Sequence, residues 1–124
     1  MQRILVVDDD RLVADTLAII FVKAGFEARA AYSADEALDV SRIFTPDLLL
    51  CDITMPGRDG LALVCDISRE LPSCRIIVLT GFYSNLHNVR EQSDKLAHPM
   101  GILTKPCQPS DLLREAATML ANAS

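Results

Sequence analysis

The chain has 124 residues and a formal net charge of -5, with half of its residues hydrophobic and 23% charged. This composition fits one globular domain, and the acidic balance argues against direct binding of nucleic acid, whose phosphates need cationic partners. No segment approaches the roughly 20 apolar residues of a membrane-spanning helix and no signal peptide is recognisable, so we expect a cytoplasmic protein with no membrane partner.

The first strand and helix follow from the spacing of apolar residues. Residues 4–7 predict a buried strand, and residues 12–24 have helical spacing and end before Gly25, a residue typical of the position just after a helix. The helical spacing rests on Leu12, Val13, Thr16, Leu17, Ile20, Phe21 and Ala24.

The next elements are an outer strand, a second helix and a buried strand. Residues 26–31 are short and partly polar, which fits the edge of a sheet. Ser33 and Glu36 have the spacing of a capping box, so the second helix is predicted to begin at Ala34. Residues 48–51 form an apolar run between turn residues, which predicts a strand buried on both faces.

The second half of the chain continues the same alternation. Residues 61–71 predict a helix that a proline ends, and residues 75–79 predict the fourth strand. Residues 81–99 have few apolar positions, and we expect a weakly patterned helix there. Residues 100–103 predict the fifth strand, and the final helix begins after Gln108.

Strands that alternate with helices through short connections predict one architecture. They require parallel pairing through right-handed crossovers, with helices on both faces of the sheet. We therefore predict an α/β fold with a doubly wound, five-stranded parallel sheet. We expect residues 1–124 to form a single domain with no output domain in this chain.

Polar residues with functional chemistry follow the predicted strands. They are Asp8, Asp9 and Asp10 after the first, Asp52 after the third, Thr80 after the fourth and Lys105 after the fifth. Parallel strands place these residues at one edge of the sheet, where ligands bind in such folds. Clustered carboxylates repel one another unless a cation lies among them, and an oxygen-only cluster open to water and phosphate suits Mg²⁺. Lys105 adds a charge that can pair with a carboxylate or with a phosphoryl oxygen.

Five short motifs complete this pattern. They are Val6-Val7-Asp8-Asp9-Asp10, the strand from Asp47 to Asp52, Met55-Pro56 with Asp59-Gly60, Leu79-Thr80-Gly81 and Leu103-Thr104-Lys105-Pro106. In this order the motifs resemble the receiver domain of two-component response regulators, of the chemotaxis-regulator-like kind, over essentially the whole chain. The resemblance implies a flavodoxin-like (βα)5 fold with the strand order 2-1-3-4-5.

The resemblance also implies a role for each site residue. Asp52 is the expected phosphoacceptor, which attacks a phosphohistidine on a sensor histidine kinase or phosphotransfer protein. The implied Mg²⁺ ligands are Asp8, Asp9, Asp52 and the backbone carbonyl of Thr54. Lys105 and the Thr80 hydroxyl are expected to bind phosphoryl oxygens. The chain would then catalyse its own modification as a switch, without being a turnover enzyme on a separate substrate.

The same resemblance implies partners for the switch. A downstream protein is expected to bind the face formed by the 81–99 helix and the final helix. We expect a monomer or a weak, phosphorylation-dependent dimer.

One position departs from the family pattern. Receivers usually have an aromatic residue three positions before the strand-five lysine, where it follows the threonine as a rotameric switch, and this chain has Ile102 there. A branched aliphatic side chain has no hydroxyl to follow Thr80. Because Phe82 and Tyr83 come just after Thr80, our hypothesis is that one of them takes over the reporting role.

Other interpretations of these residues remain open. The aspartate triplet suits a solvated loop in which Asp10 caps the first helix, and Thr80 suits a strand-end hydroxyl bonded to backbone. A haloacid dehalogenase-type phosphatase would need a second aspartate two residues after Asp52, where Thr54 stands. A phosphate-independent interaction module on the same fold is the remaining alternative.

Overall fold

The computed structural model describes residues 1–53, 60–81, 91, 100–105 and 107–121. Its strands are β1 (Arg3–Val7), β2 (Glu27–Ala31), β3 (Leu48–Asp52), β4 (Arg75–Thr80) and β5 (Gly101–Thr104). Its helices are α1 (Arg11–Lys23), α2 (Ala34–Phe44), α3 (Gly60–Glu70) and α4 (Pro109–Ala121). The helix predicted for residues 81–99 lies outside the described residues, except at Gly81 and Glu91.

All five strands pair in parallel in one sheet. The order is β2-β1-β3-β4-β5, so the predicted fold class and strand order are confirmed. Every residue of the central β3 is buried, whereas β2 at the edge is mostly half-buried, as its polar sequence predicts. Because β1 and β4 flank β3 in register, with Val7 and Val78 both opposite Cys51, their carboxyl ends meet around the end of β3.

Side-chain hydrogen bonds define the starts of α1 and α2. The Asp10 carboxylate accepts from the backbone N–H groups of Leu12 and Val13, which satisfies two free donors of α1. The Ser33 hydroxyl accepts from the N–H of Glu36, and the Glu36 carboxylate reaches back to the N–H of Tyr32. The predicted capping box is therefore present, with its return bond one residue earlier than in the usual pattern.

The sheet divides the core into two layers. Alternate β1 side chains point to opposite faces, so Ile4 and Val6 pack with α1 and α4 while Leu5 and Val7 pack with α2 and α3. Phe21 and Leu112 belong to the first layer. Among the helices within the described ranges, none is long and apolar enough to cross a bilayer.

The buried face of α1 includes Leu17 and Phe21, as the sequence spacing predicted, but differs from that prediction at the start of the helix. Leu12 is 76% exposed and Val13 is 38% exposed, whereas Ala14 and Phe21 are fully buried. Leu17 and Ala18 pack beside Phe21, so the contact stripe runs through positions 14, 17, 18 and 21. Apolar residues occur all round this helix, and the small side chains of Ala14 and Ala18 let it approach the sheet.

This difference gives a stability prediction for α1. Phe21→Ala should lower the free energy of unfolding by about 3–5 kcal/mol, because it removes a large buried side chain and leaves a cavity. Leu12→Ala should change it by less than about 0.5 kcal/mol, because that side chain faces solvent. Urea unfolding followed by circular dichroism measures both, and a similar loss in the two variants would contradict the observed face.

Candidate acidic site at the carboxyl edge of the sheet

Three aspartates meet where β1 and β3 end. Carboxylate oxygens of Asp8, Asp9 and Asp52 all lie within 4.8 Å of one another. Asp8 and Asp52 are each only 3% exposed, whereas Asp9 faces solvent. The parallel register explains the cluster, because Asp8 follows Val7 and Asp52 follows Cys51, which is paired with Val7. The cluster is thus mostly buried but open on one side.

Lys105 brings a positive charge to this cluster. Its ammonium Nζ lies 2.6 Å from Oδ2 of Asp52, a distance at which a charged hydrogen bond forms. The backbone N–H of Lys105 donates to the carbonyl oxygen of Thr80 at 2.8 Å, which extends the pairing of β5 with β4 beyond Thr104. The lysine is therefore attached to the sheet through its backbone and to Asp52 through its side chain.

Burial and like charges raise the pKa of Asp8 above its ordinary value. Desolvation is the largest cause, and the nearby charges of Asp52 and Asp9 act in the same direction. The N–H of Asp10, which donates to Oδ1 of Asp8 at 3.0 Å, and the charge of Lys105 lower this pKa, but by less. An ionised Asp8 is therefore held in place at an energetic cost, to which burial contributes most.

The structure brings together Asp8, Asp9, Asp52 and Lys105 among the residues that the sequence singled out. Asp10 is not part of the carboxylate group within the described ranges and instead caps α1, as one alternative proposed, but the solvated loop of that alternative does not fit the buried Asp8. The predicted ligand Thr54 and the predicted reporters Phe82 and Tyr83 lie outside the described residues.

Thr80 and Ile102 occupy the two strands beside the site. Thr80 ends β4, is 2% exposed and lies one position beyond Leu79, the partner of Asp52 across the strands. Ile102 lies opposite Val78 in β5 and is half-buried against the layer that contains α2 and α3. Thr80 is thus at the edge of the acidic cluster, and Ile102 lies two pairs earlier on the ladder.

Two contacts on the backbone of Asp52 were not foreseen from the sequence. The thiol of Cys51 donates to the carbonyl oxygen of Asp52 at 3.4 Å, and Gly60 at the start of α3 lies directly against the Asp52–Ile53 peptide. Sequence reasoning treated Cys51 only as part of an apolar strand and Gly60 only as part of a motif. A glycine immediately before the helix predicted for residues 61–71 was the one available signal of close backbone approach.

Comparison with known proteins agrees with this geometry. Residues 4–117 match the sequence model of the family described as response regulator receiver domain. A CheY-like response regulator receiver domain protein from Methanospirillum hungatei is 31% identical with a TM-score of 0.90, and the match covers 99% of this chain and 96% of that one. A receiver domain protein from Clostridium thermocellum is 25% identical with a TM-score of 0.84 over 99% of this chain and 94% of its own.

A longer protein also contains a matching region. NtrX from Brucella abortus is 29% identical with a TM-score of 0.85 over 98% of this chain, which corresponds to only 27% of NtrX. The family match therefore spans nearly the whole chain, and the similarity in structure extends both to short receiver proteins and to a part of a longer chain. This chain belongs to the response regulator receiver domain family of two-component systems.

Proposed function

We propose that this receiver accepts a phosphoryl group on Asp52 from a phosphohistidine of a sensor histidine kinase or phosphotransfer protein. The observation that carries the proposal is the placement of Asp52 at the end of a fully buried strand, with Asp8 and Asp9 beside it and the Lys105 ammonium 2.6 Å away. A carboxylate held among these charges has the chemistry of a nucleophile for phosphoryl transfer, where positioning and charge neutralisation dominate catalysis.

The acidic cluster fits Mg²⁺ as the metal. Its donors are oxygen atoms only, and its three carboxylates carry more negative charge than the Lys105 ammonium neutralises. Asp8, Asp9 and Asp52 would hold the ion, with the backbone carbonyl of Thr54 proposed as a further ligand. When bound, Mg²⁺ supplies positive charge for the equatorial oxygens of the phosphoryl group.

Three residues of this chain have separate roles in the proposed phosphoryl transfer. An oxygen of the Asp52 carboxylate attacks phosphorus, and the O–P bond forms as the N–P bond to the donor histidine breaks, leaving the electron pair on that nitrogen. The Lys105 ammonium moves from Asp52 to a phosphoryl oxygen, which keeps its charge paired throughout. The Thr80 hydroxyl donates a hydrogen bond to another phosphoryl oxygen. The product is an aspartyl phosphate on the receiver itself.

The modification acts as a switch in this proposal, and the chain is not a turnover enzyme on a separate substrate. Phosphorylation shifts the protein between two arrangements by the difference in free energy with which each one accommodates the phosphoryl group. A downstream protein partner would read the change on the face formed by the 81–99 segment and α4. We place the protein in the cytoplasm, as a monomer or a weak phosphorylation-dependent dimer, with Phe82 or Tyr83 reporting in place of an aromatic at Ile102.

The acceptor assignment predicts a specific covalent product. Incubation with acetyl phosphate and Mg²⁺ should add the mass of one phosphoryl group to the wild-type protein, because Asp52 is the aligned nucleophile. Asp52→Asn should abolish the adduct, since the amide oxygen is a far weaker nucleophile. Intact-protein mass spectrometry measures the fraction modified.

The matched control is Asp47→Asn, at the opposite end of the same strand. Asp47 accepts a hydrogen bond from the backbone N–H of Arg3, and an asparagine keeps that acceptor. This variant should be modified like the wild type, whereas omission of Mg²⁺ should prevent modification of both. An adduct that persists in Asp52→Asn would refute the acceptor assignment.

The raised pKa of Asp8 predicts how stability depends on pH and metal. The folded protein disfavours the ionised carboxylate, so Asp8 lowers stability above its folded pKa, and this cost vanishes as the pH falls below the ordinary value of 3.8. Without metal at neutral pH, Asp8→Asn should therefore raise Tm, because asparagine has no charge to bury. The difference should shrink as the pH is lowered through the ordinary carboxyl range.

Addition of Mg²⁺ should reverse the order of the two Tm values, so that the wild type melts at the higher temperature. The wild-type Tm should rise with Mg²⁺ concentration because the ion binds the folded cluster, while the Tm of Asp8→Asn should respond little. Asp10→Asn is the control, since asparagine still caps α1 and position 10 is outside the carboxylate group. An equal Mg²⁺ response in Asp8→Asn and the wild type would contradict the proposed metal site.

A further inference from the structure

Gly60 begins α3 in direct contact with the backbone that follows Asp52. A Cβ atom added at Gly60 would lie 2.6 Å from Cα of Ile53, 3.1 Å from the carbonyl oxygen of Asp52 and 3.2 Å from the carbonyl carbon of Ile53. Real Cβ atoms essentially never approach another heavy atom to 2.6 Å. Because all three neighbours are backbone atoms, no side-chain rotation relieves the contact. Any side chain at position 60 must displace the peptide or the helix.

The same peptide is held from two other directions. The N–H of Ile53 donates to the carbonyl oxygen of Leu79 at 3.2 Å, which continues the β3–β4 pairing past Asp52. The Cys51 thiol donates to the carbonyl oxygen of Asp52 at 3.4 Å. α3 supplies the third contact through Gly60. The Asp52–Ile53 peptide is therefore fixed between β4, Cys51 and the first turn of a helix.

α3 is itself firmly seated on the sheet, so it is a rigid third support. Leu63, Val64 and Ile67 are fully buried in the layer beneath β3 and β4. A side chain at position 60 would push against this seated helix on one side and the peptide on the other. Because this peptide includes the carbonyl group of Asp52, its displacement would shift Asp52.

We propose that Gly60 is a positioning residue for Asp52: the absence of a side chain lets α3 hold the Asp52–Ile53 peptide where the carboxylate meets both Lys105 and the other two aspartates. This inference rests on the proposed function of Asp52. A shift of the peptide would disturb the 2.6 Å contact with Lys105 and the 4.8 Å carboxylate group together. Displacement of a reacting group by about 1 Å can lower a rate by about a hundredfold.

Gly101 provides a matched control in β5. A Cβ there would also be crowded, at 2.9 Å from Sδ of Met119 and 3.0 Å from Oε1 of Glu115, but these atoms end flexible side chains. Gly101 begins β5 and pairs with Ile77, whereas the site lies beyond the other end of that strand. Gly101→Ala thus adds the same methyl group against side-chain atoms, without touching the Asp52 backbone.

The test compares Gly60→Ala, Gly101→Ala and the wild type in two measurements. The first is the rate constant of phosphorylation at saturating acetyl phosphate and Mg²⁺, which should fall by about 10- to 100-fold in Gly60→Ala and by less than about threefold in Gly101→Ala. The second is the Mg²⁺ dissociation constant of the unphosphorylated protein from amide chemical shifts. This dissociation constant should rise by about tenfold in Gly60→Ala alone, since the geometry of the carboxylates determines Mg²⁺ affinity.

These measurements separate the positioning role from the proposed function. If the wild type takes no phosphoryl group but Gly60→Ala alone weakens Mg²⁺ binding, the acceptor role of Asp52 fails and the positioning role stands. If the wild type is phosphorylated and the two glycine variants behave alike in both measurements, the positioning role is overturned and the acceptor role stands.

Thermal melts of each variant control for folding. Should Gly60→Ala be unfolded at the assay temperature, the same comparison is made with trimethylamine N-oxide, which stabilises folded states by exclusion from the protein surface. A Gly60→Ala protein without a cooperative melt under those conditions would assign Gly60 to folding and overturn the positioning role.

Discussion

The ion pair between Lys105 and Asp52 is the interaction on which the arrangement of the site depends. Asp52 is 3% exposed, and a buried carboxylate is stable only with a charged partner and hydrogen bonds. Asp8 and Asp9 add two further negative charges within 4.8 Å, while Lys105 is the cation that contacts Asp52 in the described part of the chain. Burial, together with this negative charge, raises the pKa of Asp8, and the negative charge suits the cluster to a divalent cation.

The sheet satisfies this constraint with residues that are far apart in sequence. β3 is buried on both faces and offers no place for a charge along its length, so the carboxylate stands at its end. Parallel pairing brings the end of β1 beside it, and the hydrogen bond from the Lys105 N–H to the Thr80 oxygen brings the end of β5 near it through β4. Packing thus decides where the polar residues can be, and topology decides which of them meet.

The sequence predicted most of the fold, and it predicted the site residues that meet. Strand positions, the turn at Gly25 with its φ of 102° and the capping box follow from local chemistry, which acts over a few residues and is legible in the chain. The exposure of Leu12 could not be predicted from the sequence, because Leu12 and Phe21 are both strongly apolar and only the position of the sheet distinguishes them. The contact between Gly60 and the Asp52 backbone was missed for a related reason, since a close approach between backbones depends on how a helix seats on strands.

Lys105 links the proposed chemistry to the rest of the sheet, which bears on how the state of Asp52 reaches the surface. The Ile102 side chain is half-buried against the core and has no hydrogen-bonding group that could respond to the Thr80 hydroxyl in the proposed reaction. Lys105, in contrast, is tied to Asp52 through its ammonium and to Thr80 through its N–H. In the proposed reaction the Lys105 ammonium leaves Asp52 for a phosphoryl oxygen. Phosphorylation would then act directly on the residue that follows β5. A switch that lacks an aromatic residue at position 102 can therefore change the conformation of the adjoining face of β5 and α4 through the backbone. The change requires that the two arrangements differ in how well they accommodate the relocated ammonium.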